Sequence, residues 1–288
     1  MHDIKRYLVP VSLEEAVRAA AEGDATLLAG GTDLMPQTRT GARSFSPTLI
    51  NLKRVPGLRG VSRENGNIRL GALTTVTDVL NDVLLREAAP VLPETADHFA
   101  SDQVRNSATI GGNICNASPA GDMIIPLLLL DAVVELASWN GEAVETRSMP
   151  LEEFFVGPGR TKRQPGEILT AVRFPVPGEG FIARFVKFGT RPALDISVVS
   201  IGVAGVKENG TLRRVRMAFG AVAPVPVRGR TTEAAVEGRP LTAETIRQAS
   251  EATQEDISPI SDVRASAWYR RELVRTLTTR ILNDVSTS

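Results

Sequence analysis

The segment TIGGNICNASPAGD, residues 109–122, carries the strongest signal for a binding loop in this chain. It places Gly111 beside Gly112 after a short apolar lead-in, continues with Asn113, and contains no lysine, arginine or histidine. Glycine allows positive φ and lets backbone N–H groups approach a ligand without a Cβ in the way. Successive N–H groups can bind a pyrophosphate, because backbone dipoles and a helix N-terminus supply positive potential without a lysine. The segment therefore predicts a phosphate-binding loop made of main chain.

A second glycine pair, Gly30-Gly31, occurs in the same context within ATLLAGGTDL. It follows an apolar run typical of a strand and precedes a small polar residue, Thr32. One such pair is most often a tight turn. Two of them, with Asp122 placed to accept a ribose or ribityl hydroxyl, indicate a dinucleotide held from two sides. No G-x-G-x-x-G motif follows the first strand, so the pattern does not predict a Rossmann site.

Composition excludes several other classes of function. Lys plus Arg and Asp plus Glu number 33 each among 288 residues, and this balance disfavours nucleic acid as a main partner. A single cysteine, Cys115, excludes an internal disulfide framework. One cysteine with His2 and His98 cannot form a zinc site or an iron–sulfur cluster. No metal site is therefore expected in this chain, and any metal centre of the reaction is expected on another chain.

The apolar runs of the sequence predict neither secretion nor membrane insertion. The start, MHDIKRYLVP, lacks the apolar core of a secretory signal, so a cytoplasmic protein is expected. The most apolar run, MIIPLLLLDAVVELA, is interrupted by Pro126 and Asp131 and is too short to span a bilayer. It predicts a buried helix that leads into a strand.

Hydrophobic periodicity predicts an α+β chain in three parts. Ser12 and Glu15 have the spacing of a capping box that opens a helix. The dipeptide at 140–141, Asn-Gly, marks a hairpin, and apolar residues at every fourth position predict a long C-terminal helix from Asp262. The Pro/Gly-rich stretch FPVPGEG marks a domain boundary. The predicted parts are an α/β unit at 1–57, a second unit at 58–176, and a C-terminal unit of antiparallel sheet with helices at 177–288.

Two segments closely resemble the flavin-binding motifs of the FAD-carrying subunits of molybdenum hydroxylases: AGGTDLMP at 29–36 and the segment at 109–122. That family includes flavin subunits of carbon monoxide, nicotinate and xanthine dehydrogenases. KFGTRPALDISVVS, at 187–200, is similar to the family's next segment, and APVPVRG with SDVRASAWYRRELV resembles its C-terminal domain. The resemblance covers essentially the whole chain. It implies a two-subdomain FAD-binding fold of the vanillyl-alcohol-oxidase/PCMH type, followed by a C-terminal α+β domain.

The resemblance also implies which residues contact FAD. Main-chain amides of a first loop would wrap the pyrophosphate, and this loop comprises Leu27, Leu28, Ala29, Gly30, Gly31, Thr32, Asp33 and Leu34. A second loop would comprise Thr109, Ile110, Gly111, Gly112 and Asn113. Asp122 would hold a sugar hydroxyl, while Phe99 and Leu169 would contact the cofactor. Lys187 and Asp195 would meet near the isoalloxazine edge.

The residues taken alone leave simpler alternatives open for several of these roles. Phe99 and Leu169 could be ordinary core residues. Lys187 could be a surface ion-pair partner, and Asp195, at the start of a predicted strand, could be a turn residue. Cys115 is expected to be an inert apolar residue, as a lone cysteine in an apolar context usually is.

The function implied by the resemblance is electron transfer within a larger complex. The chain would carry FAD, receive electrons from [2Fe–2S] clusters on a small subunit, and serve a large subunit with a molybdenum–pterin centre. The relatives imply a dimer of heterotrimers, with NAD or another acceptor taking the electrons. No catalytic residue is expected in this chain. Two alternatives remain: a self-sufficient flavin oxidase or reductase of the same fold, and a non-catalytic flavin-binding assembly protein.

Overall fold

The computed structural model describes residues 4–191, 194–208 and 210–287, and His2 lies outside these ranges. A small parallel sheet forms the first unit. Strand β3 lies in the middle and pairs in parallel with β1 on one side and β2 on the other. A 3₁₀ turn follows at Leu52–Arg54. The elements are β1 (Arg6–Leu8), α1 (Leu13–Ala21), β2 (Ala25–Leu28), α2 (Leu34–Arg39) and β3 (Thr48–Asn51).

Helix α1 begins where its capping residues predict. Ser12 Oγ accepts a hydrogen bond from the Glu15 N–H (3.1 Å), and Glu15 Oε2 accepts one from the Val11 N–H (2.8 Å). In a reciprocal capping box, the Glu15 carboxylate would accept from the Ser12 N–H, whereas here it accepts from the preceding residue, Val11. Ala16 and Val17 are fully buried on the inner face of the helix, so burial of this face holds it against the sheet.

The second unit is a five-stranded antiparallel sheet in the order β4-β5-β10-β6-β7, with helices on one side. Its strands are β4 (Val61–Glu64), β5 (Asn67–Gly71), β6 (Val133–Trp139), β7 (Val144–Pro150) and β10 (Ile168–Pro175). A two-stranded ribbon adds β8 (Phe155–Gly157) and β9 (Arg160–Thr161). Its helices are α3 (Val76–Asn81), α4 (Val83–Ala88), α5 (Val91–Asp97), α6 (Asp102–Arg105), α7 (Ile110–Asn116), α8 (Ile124–Leu129) and α9 (Leu151–Phe154).

Two local predictions are confirmed within this unit. The apolar run forms the fully buried helix α8, followed by strand β6. Strands β6 and β7 form the predicted hairpin, and Asn140 Oδ1 accepts hydrogen bonds from the N–H groups of Glu142 and Ala143, both at 2.9 Å. An Asn side chain that bonds its own turn in this way fixes the chain reversal.

The third unit is a four-stranded antiparallel sheet in the order β11-β12-β13-β14. One face packs on its own helices, and the other packs on α8 of the second unit. A Cβ on Gly202 would lie 2.6 Å from Leu129 Cδ1, so this glycine allows α8 to approach the sheet closely. The elements are β11 (Phe181–Phe188), β12 (Val199–Glu208), β13 (Thr211–Gly220), β14 (Val227–Arg228), α10 (Arg230–Val236), α11 (Ala243–Asp256) and α12 (Ala267–Thr287).

The C-terminal helix begins later than predicted. It starts at Ala267 and not at Asp262, because the Asp262 carboxylate instead closes a turn and binds Arg270. Asp262 Oδ1 accepts bonds from the N–H groups of Arg264 (2.9 Å) and Ala265 (3.1 Å) and from Arg270 Nη2 (2.8 Å). Within the described ranges, no helix is long and apolar enough to cross a membrane.

Candidate functional site

A cleft of about 360 Å³ opens between the first unit and the second. Most of the residues predicted to contact a cofactor line it, and these come from both glycine loops and from two apolar positions. They are Leu27, Ala29, Gly30, Gly31, Thr32, Asp33, Leu34, Phe99, Thr109, Gly111, Gly112, Asn113 and Leu169. Of the loop residues, Leu28 and Ile110 are absent from the lining, and Ile110 is fully buried in the core of the second unit.

The first glycine pair combines a turn with a close contact. Gly31 has φ 80°, a conformation that favours glycine. A Cβ on Gly30 would lie 1.9 Å from the Ser107 carbonyl oxygen, so the main chains of the two units touch at this position. Glycine is therefore required at 31 for the turn and at 30 for the contact between the units.

The second glycine pair lies in a helix and not after a strand, so the predicted local context is wrong. Thr109 caps α7 through its Oγ1, which accepts a bond from the Gly112 N–H at 3.1 Å, and the helix runs over Ile110–Asn116. Thr109 forms an isolated β-bridge to Thr75 and belongs to none of the strands of the described residues. The apolar residues before the glycine pair pack into the second unit's core and do not form a strand. Periodicity over so short a stretch does not distinguish a strand from a buried helical segment.

Close packing explains why glycine occupies these helical positions. A Cβ on Gly111 would lie 2.6 Å from Ala72 Cβ, and the Gly111 N–H donates to the Ala72 carbonyl at 2.8 Å. A Cβ on Gly112 would lie 2.8 Å from Thr109 Oγ1 and 4.0 Å from Ala29 Cβ, on the loop that holds the first glycine pair. The first turn of α7 is thus pressed against β5 and left bare towards the cleft.

Asn113 carries a buried acceptor with no partner. The residue is 9% exposed and lines the cleft, and its Oδ1 has no hydrogen-bond donor among the described residues. A buried acceptor left unpaired costs about 1–3 kcal/mol. The arrangement fits a bound group that brings a donor to this point, such as a hydroxyl or ring N–H of a flavin dinucleotide.

Two cations line the cleft although neither belongs to a glycine motif. Arg43 follows α2, and Arg163 follows β9. No sequence motif indicated these two arginines. The same holds for other lining residues, which the pairing of β2 with β3 and the second unit's sheet bring to the cleft. These others are Asp24, Ala25, Thr26, Ser44, Ser46, Leu52, Ala72, Leu73, Ala108, Cys115, Asn116 and Ile168.

Cys115 faces the cleft as an unreactive thiol. Burial raises its pKa from 9.0 to about 11, although the charges of Arg163 and Arg43 act in the opposite direction. The thiol is therefore protonated near neutral pH and is a poor nucleophile. This disfavours a covalent bond between Cys115 and a flavin.

Asp122 is absent from the cleft lining, and both of its carboxylate oxygens accept hydrogen bonds from protein groups, so its contact with a sugar hydroxyl stays a prediction. Its Oδ2 accepts a bond from Lys187 Nζ and its Oδ1 accepts one from Ser197 Oγ, both at 2.6 Å. Burial raises the pKa of the Asp122 carboxyl, and Lys187 and Ser197 act against that rise. Lys187 Nζ also donates to the His98 carbonyl at 3.2 Å.

Lys187 and Asp195 line a separate hollow of about 350 Å³, together with His98. Lys187 binds Asp122 and not Asp195, and the expected meeting of Lys187 with Asp195 near the isoalloxazine edge stays a prediction. Asp195 Oδ2 instead accepts bonds from the Thr190 hydroxyl (2.8 Å) and from the Arg191 N–H (3.3 Å). The Thr190 hydroxyl and the N–H groups of Thr190, Arg191 and Ile196 lower the pKa of Asp195.

The fold and the cleft agree with comparisons to known proteins. Residues 2–177 match the family described as the FAD binding domain in molybdopterin dehydrogenase, and residues 184–285 match the CO dehydrogenase flavoprotein C-terminal domain. The chain therefore belongs to the family of FAD-binding subunits of molybdopterin dehydrogenases.

Individual relatives span nearly the full chain. The xanthine dehydrogenase FAD-binding subunit of Escherichia coli O157:H7 is 33% identical over 99% of this chain and 97% of its own length. The structure of carbon monoxide dehydrogenase from Hydrogenophaga pseudoflava superposes with a TM-score of 0.92 at 30% identity, covering 98% of this chain and 97% of that one. The structure of quinoline 2-oxidoreductase from Pseudomonas putida 86 superposes with a TM-score of 0.91 at 26% identity, covering 100% of this chain and 98% of that one.

Proposed function

We propose that this chain is the electron-transfer subunit of a multi-subunit molybdenum hydroxylase. It receives electrons from [2Fe–2S] clusters on a small subunit and passes them through FAD to NAD⁺ or another acceptor. The observation that carries the proposal is the cleft, in which two glycine loops and the unpaired Asn113 Oδ1 face the same space. The relatives support it, because they include medium chains of carbon monoxide and glyceraldehyde dehydrogenases.

The residues of the cleft suit distinct parts of FAD. The backbone at 29–32 and at 111–113 is bare enough to approach a diphosphate. Phe99 and Leu169 give the cleft apolar surface against which an isoalloxazine ring can pack. When bound, FAD can store one or two electrons, which suits a relay between one-electron clusters and a two-electron acceptor.

The Lys187–Asp122 pair positions the third unit beside the second. Lys187 is on β11, while Asp122 lies between α7 and α8, and their side chains are 10% and 8% exposed. A buried pair of this geometry tolerates little displacement, because either charge left alone in the interior is costly. In the proposed function, the pair keeps the hollow around His98 next to the Phe99 end of the cleft.

The proposal assigns the metal centres to partner chains. In the part of the chain that the structure describes, no group of three or more His, Cys, Asp and Glu side chains is arranged to hold a metal ion. The large subunit would oxidise the substrate and the small subunit would carry the clusters, in a dimer of heterotrimers.

Reconstitution from separate subunits tests this function. The purified chain should bind one FAD that acid denaturation releases intact, and it should oxidise no hydroxylation substrate alone. With both partner subunits added, substrate should reduce the bound FAD, followed as bleaching of its visible absorbance. Substrate oxidation by the chain alone, with partner subunits excluded by mass spectrometry, would contradict the relay. A complete complex whose FAD stays oxidised under substrate would contradict it as well.

A further inference from the structure

Two arginines reach the cleft from different units, and neither forms a direct ion pair with a carboxylate among the described residues. Arg43 comes from the first unit and Arg163 from the second. Arg163 Nη1 donates to the Glu167 backbone carbonyl at 2.7 Å, which orients the guanidinium, and its charge contributes to lowering the pKa of the Glu167 carboxyl. In the ranges 4–191, 194–208 and 210–287, neither arginine forms an ion pair. The carboxylate of Glu167 is occupied by Arg147.

Both charges act on the same part of the cleft. The Cys115 thiol feels each of them, since both oppose the effect of burial on its pKa. Cys115 lies on α7, about one turn beyond the pair Gly111 and Gly112. Both cations therefore lie within electrostatic reach of α7, the helix whose first turn is bare towards the cleft.

The other charged residues of the cleft form no direct ion pair with these arginines among the described residues. Its other charged lining residues are Asp24 and Asp33. The Asp24 carboxylate accepts a bond from Ser46 Oγ at 2.6 Å, and neither acid pairs with Arg43 or Arg163 among the described residues. Backbone amides carry only partial charges, whereas a guanidinium offers a full charge and a planar set of donors that suits phosphate oxygens.

We propose that Arg43 and Arg163 clamp the diphosphate of FAD, one from each unit. The inference rests on the proposed FAD-binding function and adds to it a source of affinity that the glycine motifs do not contain. Binding of the dinucleotide then depends on ionic strength and ties the first unit to the second. A flavin without phosphate, such as riboflavin, gains nothing from the clamp.

The test measures FAD affinity of the full-length chain after its flavin has been removed. Dissociation constants are determined by fluorescence at low and high salt for the wild type, Arg43→Met, Arg163→Met and the double variant. Each single variant should bind FAD about tenfold more weakly and the double variant about a hundredfold, as expected for charge-assisted hydrogen bonds. The double variant should also lose most of the salt dependence. Arg163→Lys should recover part of the affinity, because it retains the charge.

Matched controls separate a clamp from a general effect of removing charge. Arg39 and Arg160 are exposed, lie close in sequence to the two candidates, and do not line the cleft. Arg39→Met and Arg160→Met should bind FAD like the wild type, and circular dichroism checks that every variant is folded. Riboflavin affinity should be equal in all of them.

Three outcomes would overturn the clamp. If the wild type binds FAD and the Arg43 and Arg163 variants match the controls, the clamp is wrong while the proposed function stands. If riboflavin affinity falls as much as FAD affinity, the arginines do not act on phosphate. A folded wild-type chain that binds no FAD overturns the clamp together with the proposed function.

Discussion

Lys187 Nζ lies 2.6 Å from Asp122 Oδ2, and this contact joins β11 of the third unit to the segment between α7 and α8. Ser197 Oγ donates to the other carboxylate oxygen, so both oxygens of a nearly buried carboxylate are satisfied from the third unit. The pair lies beside the cleft and not in it. Its contribution should therefore appear in stability and in flavin reactivity before it appears in flavin affinity.

Lys187→Met should destabilise the protein in a pH-dependent way. Burial already raises the pKa of Asp122, and loss of the opposing lysine raises it further. The folded-state pKa then lies above the unfolded one, so the loss is small at pH 5 and grows as pH rises, to about 3 kcal/mol at pH 8. Thermal unfolding at several pH values measures it. Lys53→Met, at an exposed lysine, serves as the control. A midpoint that falls equally at all pH values would contradict this account.

Gly111→Ala should lose FAD and stability together. The added Cβ would lie 2.6 Å from Ala72 Cβ and 2.8 Å from the Ala72 carbonyl oxygen, so α7 must move away from the adjoining chain. Overpacking of this kind costs about 1–3 kcal/mol. Gly178→Ala is a matched control, because its Cβ would meet nothing within 4 Å. Unchanged FAD binding and stability in Gly111→Ala would show that the approach of α7 is not close.

Asn113→Leu should keep or raise the stability of the flavin-free protein while it weakens the binding of FAD. Its Oδ1 is buried without a partner among the described residues, so an apolar side chain of similar size removes an unsatisfied acceptor. The flavin-free chain should be as stable as the wild type or more so. FAD binding should weaken by about 1–2 kcal/mol if the cofactor supplies the missing donor. Calorimetry measures both quantities. Equal FAD affinity in the two proteins would remove Asn113 from the site.

Glu167→Gln should destabilise the protein near neutral pH and not in acid. Burial acts to raise the pKa of Glu167, but bonds from the Arg147 guanidinium and the Gln164 N–H outweigh it, and the pKa lies below 4.5. The stabilisation is therefore present above about pH 4.5 and is lost as pH falls through the folded-state pKa. The expected difference at pH 7 is about 1–2 kcal/mol by denaturant unfolding. Glu153→Gln, at an exposed glutamate, should have no effect.

Local signals in the sequence were sufficient for part of the fold and for the two glycine loops of the cleft. The cap at Ser12, the hairpin at Asn140 and the buried helix α8 follow from a few neighbouring residues, and the structure forms each of them. Both glycine loops line the cleft as expected. Helix α7 was missed because its first turn contains two glycines, whose low helix propensity is overridden by packing on Ala72.

Contacts between distant segments could not be predicted in the same way. Asp122 and Lys187 meet only because α8 and β11 pack together, and the resemblance had placed Lys187 with Asp195. Arg43 and Arg163 lie in no motif, and their common position in the cleft depends on how two units dock. These pairings are properties of tertiary structure.

The contact between Gly30 and the Ser107 carbonyl sets how closely the two units can approach each other. Because a Cβ at residue 30 would fall 1.9 Å from that oxygen, the main chains of the two units meet there with no side chain between them. The contact cannot shorten, so it fixes the smallest spacing between the two walls of the cleft at this point. Any side chain placed at residue 30 would hold those walls apart.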